Sequence, residues 1–151
     1  MILILNGPNL NLLGTREPEI YGTMTLEDLS GKCQIWGEDI GFNVTSRQSN
    51  SEGKLIDWIH QAQTDGFLGV VLNAGGLTHT SVALRDAIAG VTIPIVEVHL
   101  SNIHSREVFR HQSTIGGVCL GSIAGFGPTS YQAAILCLGQ YLNTSQEAAN
   151  N

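Results

Sequence analysis

Glu97 and His99 lie two residues apart at the end of an apolar run, and this spacing can support acid–base chemistry. In an extended strand, residues two apart point to the same side, so the carboxylate can orient the imidazole and raise its basicity. A histidine between Val98 and Leu100 is more often only a buried core residue. The glutamate and the position at a strand end favour a functional pair.

Two other apolar runs are also followed by polar side chains that can hold anions or move protons. The first run leads into Asn6, Asn9, Arg16 and Tyr21, and the third leads into Asn73, Gly75, Gly76 and His79. Arginine and helix N-termini bind carboxylates, while asparagine and serine bind hydroxyls. A nearby arginine lowers the pKa of a tyrosine enough to make it a base. The glycine pair alone would equally fit an ordinary tight turn, but together these residues predict a site for a small hydroxylated anion.

Several other chemistries lack their sequence signals. The chain has no glycine pattern for dinucleotides, no phosphate-binding loop and no serine nucleophile elbow. No histidines have the spacing of metal ligands, so the sequence gives no sign of a metal site. The two lysines, Lys32 and Lys54, fall within predicted helices rather than at strand ends, which disfavours Schiff-base chemistry.

Strand and helix patterns alternate along the chain. Apolar runs predict five strands, at 2–5, 42–46, 67–72, 93–98 and 118–124. Helical spacing and end signals predict helices at 25–40, 51–65, 80–89 and 129–142, and Thr25 with Asp28 forms a capping box for the first of these. We expect an α/β protein with a flavodoxin-like, doubly wound, five-stranded parallel sheet and helices on both faces. The polar segments then meet at the carboxyl edge of the sheet, where such folds bind ligands.

The length of 151 residues predicts one domain spanning 1–151. Residues 7–24 show no periodicity but carry three glycines and two prolines, so we interpret this segment as a lid over the site. Residues 143–151 are polar, and we expect them to form a frayed tail.

The composition excludes some partners and suggests another. A net charge of −6 with only seven basic residues disfavours nucleic acid and a charged membrane surface. No apolar run is long enough to span a membrane, and the start of the chain has no signal-peptide pattern. Three widely spaced cysteines indicate reduced thiols in the cytoplasm. Only 13% charged residues and 18 glycines suggest that subunit contacts cover part of the surface of a homo-oligomer.

Several long motifs, in order along nearly the whole chain, closely resemble the type II 3-dehydroquinate dehydratase family. They occupy residues 6–18 (NGPNLNLLGTREP), 48–60 (QSNSEGKLIDWIH), 73–87 (NAGGLTHTSVALRDA) and 97–107 (EVHLSNIHSRE). Two positions depart from the family pattern. Gly76-Leu77 stands where the family more often has alanine followed by an aromatic residue, and Val108 stands where proline or glutamate is expected.

The resemblance implies reversible dehydration of 3-dehydroquinate to 3-dehydroshikimate through an enolate, without a cofactor or metal. It implies that Tyr21, as tyrosinate, removes the proton alpha to the ketone, and that Arg16 keeps Tyr21 ionised. Asn9 would stabilise the enolate through a water. His99 would protonate the departing hydroxyl, with Glu97 orienting the imidazole.

The resemblance also implies a set of residues that bind the substrate: Asn73, His79, Leu100, Ser101 and Arg110. Asp86 matches a position that reaches the site of a neighbouring subunit. The family forms a dodecamer built from trimers, and the same assembly is the expectation here.

Two alternatives stand beside this interpretation. A flavodoxin-like module could bind FMN or receive a phosphoryl group without catalysis, although a receiver needs a carboxylate where this chain has Asn73. Another lyase or isomerase acting on a hydroxylated cyclic acid would use the same residue types, including a quinate-catabolic version of the same reaction.

Overall fold

Five parallel strands form one sheet in the computed structural model, which describes residues 1–15 and 18–151 without the side chains of residues 20 and 21. The strands are β1 (Ile2–Asn6), β2 (Val44–Gln48), β3 (Gly69–Asn73), β4 (Ile95–His99) and β5 (Gly121–Ala124). Their order in the sheet is β2-β1-β3-β4-β5, with every neighbouring pair parallel. The predicted flavodoxin-like, doubly wound α/β fold is confirmed.

Helices cover both faces of this sheet. They are α1 (Pro18–Tyr21), α2 (Leu26–Asp39), α3 (Glu52–Ala62), α4 (Val82–Ala89) and α5 (Pro128–Asn150). Short 3₁₀ turns lie at Leu10–Leu12, Gly75–His79, Ile103–Ser105, Val108–Arg110 and Gly116–Val118. Along residues 1–15 and 18–151, none of these helices combines the length and the apolar character needed to cross a membrane.

The two faces of the sheet bury separate apolar clusters, because side chains alternate along each strand. Ile2 and Ile4 of β1 pack toward α2 and α5, where Tyr131 is fully buried. Leu3 and Leu5 of the same strand pack toward α3 and α4. Glu97 and His99 follow Ile95 on this second face, at the carboxyl end of β4.

Local signals explain where the helices begin. The hydroxyl of Thr25 accepts a hydrogen bond from the Asp28 amide, and the Asp28 carboxylate accepts one from the Thr25 amide, at 3.1 Å each. This is the predicted capping box, and these bonds hold the pKa of Asp28 below its ordinary value. Ser51 and Ser81 cap α3 and α4 in the same way, each through its hydroxyl oxygen.

The sequence placed four strand starts two or three residues too early, and the last of them, β5, begins at Gly121 rather than residue 118 because the 3₁₀ turn Gly116–Val118 comes first. Phe42 and Phe67, expected to begin strands, instead donate their amides to the Gly37 and Ala62 carbonyls and so close the ends of α2 and α3. Likewise, β4 begins at Ile95 rather than residue 93. An apolar side chain is needed both in a helix-ending turn and in a strand, so hydrophobicity alone does not separate the two.

Two further expectations for the chain need correction. Residues 143–150, expected as a frayed tail, continue α5 as a helix to Asn150, with their side chains exposed. The hydroxyl of Ser145 donates to the Tyr141 carbonyl there, and helix-forming residues follow it. The third predicted helix begins at Val82 rather than residue 80, because a 3₁₀ turn occupies Gly75–His79 first.

Candidate active site

A cleft opens at the carboxyl edge of the sheet, above β1, β3 and β4. It holds about 720 Å³ of space free of atoms, part of which is open to solvent. Its lining comprises Pro8, Asn9, Leu10, Leu12, Leu13, Asn73, Gly75, Gly76, His79, His99, Leu100, Ser101, Ile103, Arg106 and Arg110. Seven of these residues were expected in the site from the sequence: Asn9, Asn73, His79, His99, Leu100, Ser101 and Arg110.

Glu97 and His99 form the predicted pair. His99 Nε2 lies 2.8 Å from Glu97 Oε2, and both side chains are almost entirely buried. Because a carboxylate only accepts hydrogen bonds, Nε2 carries a proton and Nδ1 is the nitrogen left for a ligand. The pair can therefore present a proton at His99 Nδ1 when the imidazole is charged.

Glu97 remains ionised in spite of its burial. Burial alone raises the pKa of this carboxyl, but the hydrogen bonds from His99 and Ser113 outweigh it and hold the pKa below the ordinary value of 4.5. The charge of His79 acts in the same direction. A fixed negative charge thus lies behind the His99 imidazole.

His79 stacks beside His99 in the cleft. The ring centroids are 6.3 Å apart with an angle of 19° between the planes. His79 Nδ1 lies 2.7 Å from the Gln112 carbonyl oxygen, so Nδ1 donates and Nε2 remains available to a ligand. The 3₁₀ turn Gly75–His79 holds this imidazole against the cleft wall.

Asn73 is held by a buried network that crosses the sheet edge. Its Nδ2 donates to the Tyr131 hydroxyl at 2.9 Å, and that hydroxyl donates to Asn6 Oδ1 at 2.6 Å. Asn73 Oδ1 accepts from the Gly75 amide at 3.1 Å. Asn6 and Asn73 are register partners on β1 and β3, so both amides reach α5 on the same face.

Asn9 adopts an unusual backbone conformation at the entrance of the cleft. Its φ of 71° makes it a non-glycine residue in the left-handed region, which asparagine tolerates better than most residues. Its amide donates to Asn50 Oδ1 at 2.9 Å, and Gln48 Nε2 donates to that same oxygen and to the Gly7 carbonyl. The 48–50 segment, part of a motif that carried the family resemblance, therefore shapes the turn that presents Asn9.

The opposite wall brings a guanidinium to the cleft. Arg110 Nε donates to Glu107 Oε2 at 2.7 Å, and this hydrogen bond lowers the pKa of Glu107. Glu107, the last residue of the motif at 97–107, thus orients Arg110. Arg110 also lies over the Phe109 ring, 5.0 Å from its centroid.

Asp86, Arg16 and Tyr21 complete the set of predicted residues. The Asp86 side chain on α4 is 68% exposed, is 3.4 Å from Arg85 and does not line this cleft. Arg16 and the side chain of Tyr21 lie outside the described residues. Within the part of the chain that the structure describes, no three His, Cys, Asp or Glu side chains form a group that could hold a metal ion.

Sequence reasoning missed two contributions. Tyr131 was expected only as a buried residue of the last helix, and no local pattern signals its bonds to Asn6 and Asn73. Arg106 lines the cleft but was not placed among the site residues, although it lies in the motif at 97–107. The two departures from the family pattern cause no strain: a Cβ on Gly76 would meet no atom within 4 Å, and Val108 is exposed.

Comparison with known proteins identifies the family of this chain. The sequence model described as "Dehydroquinase class II" matches residues 1–139. The 3-dehydroquinate dehydratase of Thermus thermophilus is 54% identical over 147 residues, covering 97% of this chain and 99% of that protein. The 3-dehydroquinate dehydratase of Deinococcus radiodurans is 55% identical over 142 residues, covering 94% and 99%.

Solved structures agree with the sequence comparison. The crystal structure of type II dehydroquinase from Butyrivibrio crossotus has a TM-score of 0.89 and 46% identity, covering 91% of this chain and 95% of that one. Fold, sequence and family model coincide over nearly the full length. The chain therefore belongs to the class II dehydroquinase family.

Proposed function

We propose that this chain is a hydro-lyase that removes water from 3-dehydroquinate to give 3-dehydroshikimate, a step of the shikimate pathway, in the cleft described above. The family and the relatives named 3-dehydroquinate dehydratase support the activity. The observation that carries the assignment of residues is that the buried Glu97–His99 pair faces a cleft also lined by Asn73, His79 and Arg110.

The reaction needs one base, one acid and a place for negative charge. A base removes the proton alpha to the ketone, the electrons move into the enolate, and the hydroxyl on the next carbon leaves with a proton as water. We assign the acid to His99, because its Nε2 is bonded to Glu97 and its Nδ1 can give a proton to the leaving hydroxyl. Protons exchanged with water then restore the acid and the base for the next turnover.

The other residues of the cleft have binding roles in this proposal. Arg110 matches a substrate carboxylate in charge and geometry. Asn73 and Ser101 offer hydrogen bonds to hydroxyls, and His79 offers its Nε2. Leu100 supplies an apolar wall, and Asn9 stabilises the enolate through a water. All of these line the same cleft.

Tyr21, kept ionised by Arg16, is the proposed base. Replacing the phenol by Tyr21→Phe leaves a side chain of the same shape without an acidic group, so turnover should fall by several powers of ten. The enone product absorbs in the ultraviolet, so absorbance after adding 3-dehydroquinate measures turnover directly. Tyr141→Phe, an exposed tyrosine on α5, is the matched control. Near-normal turnover in Tyr21→Phe would rule out this base.

A cofactor-free enolate route also predicts that borohydride leaves activity intact in the presence of substrate. Borohydride reduces an imine between a lysine and a ketone and so traps it covalently. Lys32 lies in α2 and Lys54 in α3, and neither lines the cleft. Loss of activity with a mass increase on either lysine would contradict the enolate route.

The assembly proposed for this chain is a homododecamer built from trimers, in which Asp86 reaches the site of a neighbouring subunit. Asp86 is exposed on α4 and lies outside the cleft of its own chain, which supports an active site shared between subunits. Light scattering should give about 193 kDa, twelve times the 16.1 kDa of the chain. Co-refolding inactive Tyr21→Phe with Asp86→Ala subunits should restore some activity, because some sites then combine two intact contributions. No recovery, or a fully active monomer, would refute a shared site.

We further propose that the enzyme works in the cytoplasm, where its free cysteines Cys33, Cys119 and Cys137 remain reduced. Family membership disfavours the alternative of a non-catalytic flavodoxin-like module. An absorbance scan of the purified protein separates the two, because a bound flavin would make it yellow.

A further inference from the structure

The second carboxylate oxygen of Glu97 is bound by a residue outside the predicted site. Ser113 Oγ lies 2.5 Å from Glu97 Oε1, while His99 occupies Oε2. Ser113 stands in the connection between the 3₁₀ turns Val108–Arg110 and Gly116–Val118. The carboxylate is therefore held from both sides, by β4 itself and by this connection.

The direction of each bond in this chain follows from donor chemistry. The Gly116 amide can only donate, and it donates to Ser113 Oγ at 2.9 Å. The single hydroxyl proton of Ser113 is then directed at Glu97 Oε1. Glu97 accepts at both oxygens, an arrangement that only the ionised carboxylate satisfies without losing a donor.

Gly116 has a steric reason to be glycine. A Cβ at this position would lie 3.1 Å from Ser113 Oγ and 3.3 Å from Glu97 Oε1. Both distances are tighter than ordinary van der Waals contact, so a side chain here would push the serine and the carboxylate apart. The close approach of the Gly116 backbone is thus part of the same arrangement.

We propose that Ser113, backed by the Gly116 amide, is a positioning residue for the reaction: it fixes the Glu97 carboxylate in the orientation and charge state that serve His99. This inference rests on the proposed function, because it assigns His99 the role of acid. Ser113 is 14 residues beyond His99 in the chain and does not line the cleft, so it acts through Glu97 alone.

The other groups that face Glu97 do not replace this contact. His99 on β4 and His79 in the 3₁₀ turn Gly75–His79 lower the pKa of the carboxyl when charged. Cys119, just before β5, is a neutral thiol, because burial and the Glu97 charge raise its pKa to about 12. Ser113 is the hydrogen-bonding contact among these whose side chain carries no group that titrates near neutral pH.

Ser113→Ala removes the hydroxyl and keeps the backbone, so it tests the proposal directly. The kcat should fall about tenfold, as for residues that orient a catalytic group, while KM stays within about twofold. The pKa of Glu97 should rise by about one unit, because a carboxylate that loses a donor protonates more easily. Ser113→Thr keeps a hydroxyl and should recover most of kcat and the wild-type pKa of Glu97.

Ser122→Ala is the matched control. Ser122 is the register partner of Glu97 on β5, is exposed, and shows no side-chain hydrogen bond in the described part of the chain. It should keep wild-type kcat and the wild-type pKa of Glu97. Gly116→Ala, which leaves the serine in place but crowds it, should resemble Ser113→Ala. An unchanged kcat in Ser113→Ala, or an equal fall in Ser122→Ala, would overturn the proposal.

A direct titration separates this inference from the proposed function. Carbon-13 NMR of glutamate-labelled protein, with Glu97→Gln to assign the signal, reports the pKa of Glu97 without any turnover. The pKa should be about one unit higher in Ser113→Ala than in the wild type. Identical titrations would overturn the positioning role of Ser113, whereas a wild-type protein inert toward 3-dehydroquinate would overturn the proposed function.

Discussion

Removing one oxygen atom from Tyr131 tests whether a buried hydrogen-bond network positions the side-chain amide of Asn73, which is proposed to bind the substrate. Tyr131 is fully buried, and its hydroxyl connects Asn73 Nδ2 to Asn6 Oδ1. Both asparagines are also buried, at 4% and 2% exposure. In Tyr131→Phe, one buried donor and one buried acceptor lose their partner at once, and no water reaches them easily.

The magnitude follows from the number of groups left without a partner. A buried polar group that loses its hydrogen bond costs about 1–3 kcal/mol, so two such groups cost about 3 kcal/mol together. For a domain of this size, each kcal/mol lowers Tm by about 2–4 °C. Tyr131→Phe should therefore unfold about 9 °C below the wild type, measured by calorimetry at one fixed protein concentration.

The same substitution should also weaken substrate binding. Without the Tyr131 hydroxyl, the Asn73 amide is held only through the Gly75 amide, so KM for 3-dehydroquinate should rise by about fivefold to tenfold, with a smaller change in kcat. The effect should be constant between about pH 6 and 9, because burial raises the pKa of Tyr131 far above its ordinary value and keeps the phenol neutral. Tyr141→Phe on the same helix controls for loss of an exposed hydroxyl. Equal Tm and KM in the two variants would refute the network argument.

Four further outcomes follow from the structure. The pKa of Glu97 is lower in the folded protein than its ordinary value of 4.5, so its contribution to the unfolding free energy is present above that pH and is lost on acidification. Denaturant titrations from about pH 7 to 3 should show a smaller acid loss in Glu97→Gln. Gly7→Ala should lower Tm, because its Cβ would lie 2.7 Å from a backbone carbonyl oxygen of the turn after β3. A Cβ at position 31 in α2 would meet no atom within 4 Å, so Gly31→Ala should raise the free energy of unfolding by about 0.5–1 kcal/mol, measured by calorimetry. Asn50→Ala, which releases the amide of Asn9, should lower kcat in the ultraviolet assay while Tm changes by only a few degrees.

The sequence predicted the fold where local signals and tertiary packing agree. Thr25 and Asp28 define the start of α2 by contacts three residues apart, so the sequence contains the whole interaction. The apolar runs that became β1 and β3 are buried on both faces and leave no other assignment. Phe42 and Phe67 were wrongly predicted to begin strands, because their amides close helices rather than pair with strands.

The site could be predicted only to the extent that topology brings strand ends together. Asn73, His79 and His99 follow from the rule that ligands bind at the carboxyl edge of a parallel sheet. The bond between Asn6 and Tyr131 joins residues 125 positions apart, and no pattern within either segment signals it. Ser113 was missed for the same reason: its partner Glu97 lies 16 positions earlier, across a loop without periodicity.

The strand order explains why two independent supports meet at one cleft. Helix α2, which leads from β1 to β2, covers one face of the sheet, and α4, which leads from β3 to β4, covers the other. The carboxyl edge between β1 and β3 therefore stays open. Asn73 projects toward the face of α5, where Tyr131 holds it, whereas His99 projects toward the opposite face, where Glu97 and Ser113 hold it. The two sets share no hydrogen bond among the described residues. The roles proposed for Asn73 in orienting the substrate and for His99 in delivering a proton can therefore be perturbed separately, because the sheet itself stands between the side chains that support each residue.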